Sequence, residues 1–373
     1  MIEICPVQNS CQSIEIKFKI YKQVFTSTIA QMRNFGYNAE SHIVRTSDGY
    51  ILTMQRILPT VPNSLPVLLL PGGSCAPMTF FEHQNALGFE VADKGYDLWI
   101  GNFRGNLYYS RHVNHSKFSQ KFWDFSWDDQ GYYDIPAMID HILETTNYKK
   151  LVVISYSLAS GSVFALESTI HEYNKVVGHI ALAPVIALRY INSMVVRFGH
   201  SQLKLKIFTG SLAVPNIILL SSLLLLKVLG TMFCLVVPSL CDLSVHITTG
   251  YKPYFQPGES ALLIGHLTDG LSGKALQHLV QKKPPAFNLS QITTPTIIFS
   301  GANDPLANPL DIEIITRQIK SAQKEVISNP SFNHAEYVTA PPAPYFNETV
   351  QKILQHVDNF AKMISQPKQQ STY

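Results

Sequence analysis

Short runs of consecutive apolar residues, not alternating ones, set the rhythm of this chain. Pro66–Leu70, Asp97–Ile100, Leu151–Ile154, Val177–Leu182 and Thr296–Phe299 are such runs, as expected of strands covered on both faces. Glu325–Ser328 is a weaker one. Ahead of them, His42–Thr46 and Tyr50–Ile57 flank the turn Ser47-Asp48-Gly49, a hairpin signal. Helical periodicity falls over Asp134–Glu144, Leu158–Glu172, Pro309–Ile319 and Ala343–Met363. Strand–helix–strand repetition predicts an α/β fold with a mostly parallel central sheet, helices on both faces and right-handed crossovers.

The rhythm fails between residues 185 and 291. This divides the chain into a core (25–184 and 292–365) and an insertion of helical character, a cap. Residues 1–24 offer no assignable element, and Gln366–Tyr373 reads as a frayed end. Within the insertion, Leu212–Val237 is long and apolar enough to span a bilayer. Pro215 and Gly230 interrupt it and Lys227 sits mid-run, where a charge is costly in lipid. A cap whose apolar inner face lines a lipid site fits these interruptions better than a membrane span does.

Composition narrows the function class. Apolar residues make up 46% of the 373 and charged residues only 15%, with a net charge of +3. No long basic run is present, so nothing suggests nucleic-acid binding. The five cysteines show no zinc spacing and no CxxC pair. Cys234 and Cys241 are close enough for one local disulfide, and two buried thiols fit equally well. Met1-Ile-Glu-Ile-Cys5 carries an acid where a signal peptide carries positive charge. Sequons at Asn114, Asn288 and Asn347 mark glycosylation candidates on surface loops.

The chemistry-bearing residues come in a telling order. The strand Leu151–Ile154 runs into Ser155-Tyr156-Ser157-Leu158-Ala159 and then a helix, the context of a nucleophile elbow. Downstream come Asp304, after the strand Thr296–Phe299, and His334, before the last helix. Ser, then Asp, then His is the α/β-hydrolase order, and it points to acyl transfer to water. His334 would take and return the Ser157 proton while Asp304 holds its tautomer. Asp311 is the fallback acid, disfavoured inside a helix. Pro71-Gly72-Gly73 follows the strand Val67–Leu70, where backbone N–H groups of Gly73 and Leu158 would form an oxyanion hole. Both glycines of Gly-x-Ser-x-Gly are missing; Ser155 and Ala159 are the next smallest choices, so the turn survives with mild strain.

On these residues the chain resembles the acid lipase family, which includes gastric and lysosomal acid lipases. The resemblance rests on Asn34-Phe-Gly-Tyr37, Thr46-Ser-Asp-Gly-Tyr-Ile-Leu52, Gly101-Asn-Phe-Arg-Gly-Asn106, Ser110-Arg-His112, Phe122-Trp-Asp-Phe-Ser-Trp127, Tyr133-Asp-Ile-Pro-Ala137, Ala181-Leu-Ala-Pro184 and Gly301-Ala-Asn-Asp304. It implies an α/β-hydrolase with an inserted cap, with Ser157, Asp304 and His334 at the triad positions. It implies a lipid ester substrate, an acylglycerol or a sterol ester, transient contact with a membrane or lipid-droplet surface, and a secreted or lysosomal location. No metal or organic cofactor is implied. The departures lie at the chemistry: the family's Gly-His-Ser-Gln-Gly is Ser155-Tyr-Ser157-Leu-Ala159 here, its His-Gly-Leu is Pro71-Gly72-Gly73, and the cap is shorter between Lys274 and Pro284.

Three expectations follow. The first is a serine ester hydrolase, weakened on the order of 10²–10³ in turnover if the elbow has cost an oxyanion donor. The second is a non-catalytic lipid-binding relative with a degenerate elbow. The third is a hydrolase of small soluble esters behind a narrowed acyl site. Under the first, Ser155→Gly with Ala159→Gly would raise turnover at constant KM.

Overall fold

The structure is a computed structural model that describes residues 8–73, 75–170, 173–186, 189–193, 216–252, 258–267, 270, 272–280, 287–339 and 343–365. Among them nine strands form one sheet: β1 (Ala39–Arg45), β2 (Tyr50–Ile57), β3 (Pro66–Leu70), β4 (Asp97–Ile100), β5 (Ser110–His112), β6 (Leu151–Tyr156), β7 (Val176–Leu182), β8 (Thr296–Ser300) and β9 (Ala322–Val326). The order is β1-β2-β4-β3-β6-β7-β8-β9, with β5 paired to β2. Every pair from β4 to β9 along this path is parallel, while β1, β2 and β5 add an antiparallel edge. Parallel pairing aligns the carboxyl ends of β3, β6 and β8, so the chain leaves all three along one sheet edge.

The apolar runs predicted to be covered on both faces are. Val67, Leu69, Val152 and Ile154 join one buried cluster; Leu68, Leu70, Leu151 and Val153 join another on the opposite side. The helices Ile135–Thr146 and Leu158–Thr169 cover the second side, and Pro344–Ser365 packs on β6 and β7. β9 begins three residues before the predicted Glu325–Ser328. It is an edge strand with no fully buried residue, so burial imposes no apolar register that the sequence could display. β5 escaped prediction because three residues are too few to show a period.

Between β7 and β8 lie the helices Asn216–Val236, Pro238–Thr249, Glu259–His266 and Gly273–Val280. Residues 8–24, for which the sequence pattern predicts nothing, form a helix that packs on the first and third of these. Its Ile20 and Val24 share a buried cluster with Cys234, Leu235, Cys241 and Leu262. Cys234 and Cys241 are disulfide-bonded. Leu212–Pro215 and the tail Gln366–Tyr373 lie outside the described residues. No single described helix is long and apolar enough to cross a membrane; Lys227–Val236 and Pro238–Thr249 meet at a bend of 117°. Lys227 is buried, its ammonium 4.8 Å from the Tyr108 ring centroid.

Candidate active site

β6 ends at Tyr156 and the helix begins at Leu158, which leaves one residue, Ser157, to reverse the chain. Ser157 does so at φ 55° and ψ −122°, a conformation that costs a non-glycine residue on the order of 1–3 kcal/mol. The backbone around it supplies the compensation. Ser157 N–H donates to the Leu182 carbonyl at 2.9 Å, and its own carbonyl accepts from Val185 and Ser160 N–H, each at 3.1 Å. The elbow is thus formed without either expected glycine. Ala159 is buried at its position, and Ser155 directs its hydroxyl into hydrogen bonds with Ser160 Oγ (2.8 Å) and His179 Nε2 (2.6 Å).

His334 arrives from the loop after β9, and Asp304 from the loop after β8. His334 Nε2 lies 2.9 Å from Ser157 Oγ, and His334 Nδ1 lies 2.8 Å from Asp304 Oδ2. The Asp304 side chain is 1% exposed. Its other oxygen accepts from the N–H groups of Leu306 and Ala307 at 2.9 and 2.8 Å, which satisfies the charge locally. With Asp304 accepting from Nδ1–H, Nε2 is left to accept from the serine hydroxyl. Asp311 lies in the helix Pro309–Gln318 and accepts instead from Tyr190 N–H at 3.0 Å. Burial pushes its carboxyl pKa up.

The histidine loop is fixed from two directions. Tyr156 donates its hydroxyl to the His334 carbonyl at 2.8 Å. From the segment between β7 and β8, Thr249 accepts from His334 N–H at 3.0 Å and Gly250 accepts from the Asn333 amide at 3.1 Å. Gly250 sits at φ 103°, and a Cβ there would come within 2.2 Å of the Asn303 carbonyl. Only glycine permits that approach.

Gly72 and Gly73 pass directly beside the elbow. A Cβ on Gly73 would meet Leu158 Cδ2 at 2.8 Å, and one on Gly72 would meet Ser157 Cβ at 3.1 Å. Leu158 opens its helix, so its N–H belongs to the first turn, which has no intrahelical acceptor. The sequon residues Asn114, Asn288 and Asn347 are exposed. Asn347, expected on a loop, lies instead in the first turn of the helix Pro344–Ser365. Among the described residues no cluster of three or more His, Cys, Asp or Glu could hold a metal.

Two groups of residues at this site escaped the sequence reading. Tyr156 occupies the variable position of the elbow, where spacing carries no signal. His179 stands inside the apolar strand Val176–Leu182, and that intrusion of a polar ring was the available clue.

Sheet order and elbow define an α/β-hydrolase. Solved structures agree on the fold: an esterase from Exiguobacterium antarcticum superposes with a TM-score of 0.55 at 14% identity, covering 86% of this chain and 100% of its own. A putative lipase from Acinetobacter baumannii gives 0.56 at 13% identity, covering 93% and 97%. Residues 28–71 match the family model described as the partial alpha/beta-hydrolase lipase region. Gastric triacylglycerol lipase of Bos taurus is 31% identical, covering 94% of this chain and 97% of its own sequence. The lysosomal acid lipase/cholesteryl ester hydrolase of Macaca fascicularis is 29% identical, covering 83% and 86%. The chain belongs to the acid lipase family.

Proposed function

We propose that this protein hydrolyses carboxylic esters of lipids, acylglycerols or sterol esters, through an acyl-enzyme on Ser157. The observation that carries the proposal is the hydrogen-bonded file from Ser157 Oγ through His334 to Asp304, at 2.9 and 2.8 Å. In the first half-reaction Ser157 Oγ attacks the acyl carbonyl carbon while its proton passes to His334 Nε2. The tetrahedral oxyanion is held by N–H groups of Gly73 and Leu158. It collapses with departure of the alcohol, which takes the proton back from His334. Water then enters, gives a proton to His334 and bonds through its oxygen to the acyl carbon; as the C–Oγ bond breaks, Ser157 Oγ takes the proton back from His334 and the carboxylic acid leaves. Asp304 keeps Nδ1–H in place throughout and balances the transient imidazolium.

Residues 185–291 act in this scheme as a cap over the acyl site. The outer face of the helix Asn216–Val236 carries Leu225, Leu229, Met232, Phe233 and Val236, all exposed and spaced along one helical face. Leu240 and Leu243 on the next helix are exposed as well. An exposed apolar helix face of this kind suits transient seating on a membrane or lipid droplet. A secreted or lysosomal location, with glycans at Asn114, Asn288 and Asn347, accords with the gastric and lysosomal names of the relatives.

A fluorophosphonate probe tests the nucleophile: labelling of the folded protein that disappears in Ser157→Ala supports it. A folded protein that never labels favours the non-catalytic lipid binder. Rates on short- against long-chain p-nitrophenyl esters separate a lipase from a hydrolase of small soluble esters.

A further inference from the structure

Beneath Ser157 lies a second, sealed constellation of polar side chains. In the parallel pairing of β6 and β7, Ser155 is opposite Ala181 and Val153 opposite His179. The side chains of 155 and 179 therefore share a face of the sheet. The helix Leu158–Thr169 covers that face, with Phe164 edge-on to the His179 ring at 5.0 Å between centroids. Ser160 and Glu167, two helical turns apart, are buried on the same helix. Ser155 and His179 are each 0% exposed, so bulk solvent and substrate do not touch them.

The hydrogen bonds close across the elbow. Ser155 precedes Ser157 and Ser160 follows it, and their hydroxyls meet at 2.8 Å. Ser160 Oγ also donates to the Ser155 carbonyl at 3.2 Å. The two hydroxyls thus clasp the end of the strand to the start of the helix, with Ser157 in the loop between. His179 Nε2, 2.6 Å from Ser155 Oγ, fixes the direction of that clasp. When Nε2–H donates to Ser155, the Ser155 proton is free to go to Ser160, and every hydroxyl is satisfied. Glu167 Oε2 stands 3.6 Å from His179 Nδ1 and faces the other side of the ring.

We infer that Ser155 and His179 are positioning residues for Ser157, a hydroxyl–imidazole clasp that does the work of the glycine the elbow lacks. This rests on the reading of Ser157 as the nucleophile. It also reverses the expectation from sequence that glycine at 155 raises turnover. In Ser155→Gly, His179 Nε2 and Ser160 Oγ lose a partner inside a buried layer, where an unmade hydrogen bond is costly.

The test is a double-mutant cycle read by fluorophosphonate labelling rate and by kcat and KM on a soluble ester, with melting temperature followed in parallel. Ser155→Gly and His179→Phe are each expected to lower the labelling rate and kcat by roughly tenfold or more at unchanged KM, as nucleophile misplacement does. The double variant, in which glycine vacates room for the larger apolar ring against Phe164, is expected to recover most of the rate. Ser155→Ala, which removes only the hydroxyl, keeps the test open where Ser155→Gly fails to fold. Single variants that fold and label at the wild-type rate overturn the inference, as does a double variant no faster than the singles. Melting temperatures that couple while labelling rates do not would leave the cluster a merely structural one, and overturn it too. A wild-type protein that does not label overturns the nucleophile reading itself, and the inference with it.

Discussion

The Tyr156 hydroxyl donates to the His334 carbonyl at 2.8 Å, and their rings lie 5.1 Å apart between centroids. The residue before the elbow serine thus holds the loop that carries the imidazole. A neutral hydrogen bond of this kind contributes about 0.5–1.5 kcal/mol. Tyr156→Phe keeps the ring and removes that bond. We expect kcat on a soluble ester to fall by roughly three- to tenfold with KM little changed; an unaltered kcat would mean the loop is held without it.

Asp304 and Asp311 can be told apart by the same substitution. Asp304→Asn should lower kcat by roughly four orders of magnitude, because the amide no longer enforces the imidazole tautomer. Asp311→Asn removes only a charge, since its amide oxygen still accepts from Tyr190 N–H, and is expected to leave kcat within about threefold of wild type. Steady-state kinetics on both variants decide the assignment.

The motif residues that carry the family resemblance serve the scaffold as well. Arg104 is buried, with Nη1 2.7 Å from Asp48 Oδ2 and Nη2 2.8 Å from Asp134 Oδ1, over the Tyr50 ring at 4.2 Å. It ties the hairpin turn to the loop after β4 and the start of the helix Ile135–Thr146. Arg104→Met strands the fully buried Asp134 carboxylate and should cost about 3–5 kcal/mol in a urea unfolding experiment. A loss below about 1 kcal/mol would show the bracket to be dispensable.

Protonation of Glu82 should stabilise this fold. Burial pushes the Glu82 carboxyl up to about 8, Glu259 adding to the effect while His83 and Lys252 oppose it. Glu82 Oε1 lies 2.7 Å from His266 Nδ1. The unfolded chain loses the Glu82 proton near the ordinary 4.5, so the folded state binds more protons above it. The stabilisation is complete below 4.5 and is lost as pH rises through about 8. Relative to Glu82→Gln, the melting temperature of the wild type is expected to fall across that window. Parallel profiles for the two proteins would remove Glu82 as the cause.

The patch on the outer helices has its own test. Leu229→Glu with Val236→Glu puts charge on two exposed positions and should weaken binding to phosphatidylcholine vesicles and hydrolysis of an emulsified ester. The rate on a soluble short-chain ester should stay within about twofold, since exposed substitutions seldom disturb the fold. Equal losses on both substrates would argue against surface seating.

Much of this architecture was legible from periodicity. Val67–Leu70 and Leu151–Ile154 have to be buried strands, because unbroken apolar runs have no solvent face to offer. Ser157 and Gly73 could be named as candidates because each follows such a strand, and His334 and Asp304 because of their order. The edge strand β9 was misplaced because half-exposed positions carry no period. His179 was passed over because one histidine in an apolar run looks like any other buried ring.

What the sequence determined by itself is the set of local facts: which segments are strands, where they stop, and which serine, aspartate and histidine follow the stops. Their meeting was decided by tertiary structure alone, because sheet order brings β6 and β8 to one edge although Ser157 and Asp304 lie far apart in the chain. The elbow belongs to the same category. A glycine rule describes backbone crowding, and whether serine can stand in depends on what the neighbouring strand and helix present to its hydroxyl. Here they present His179 and Ser160, and no spacing within the elbow could have announced it.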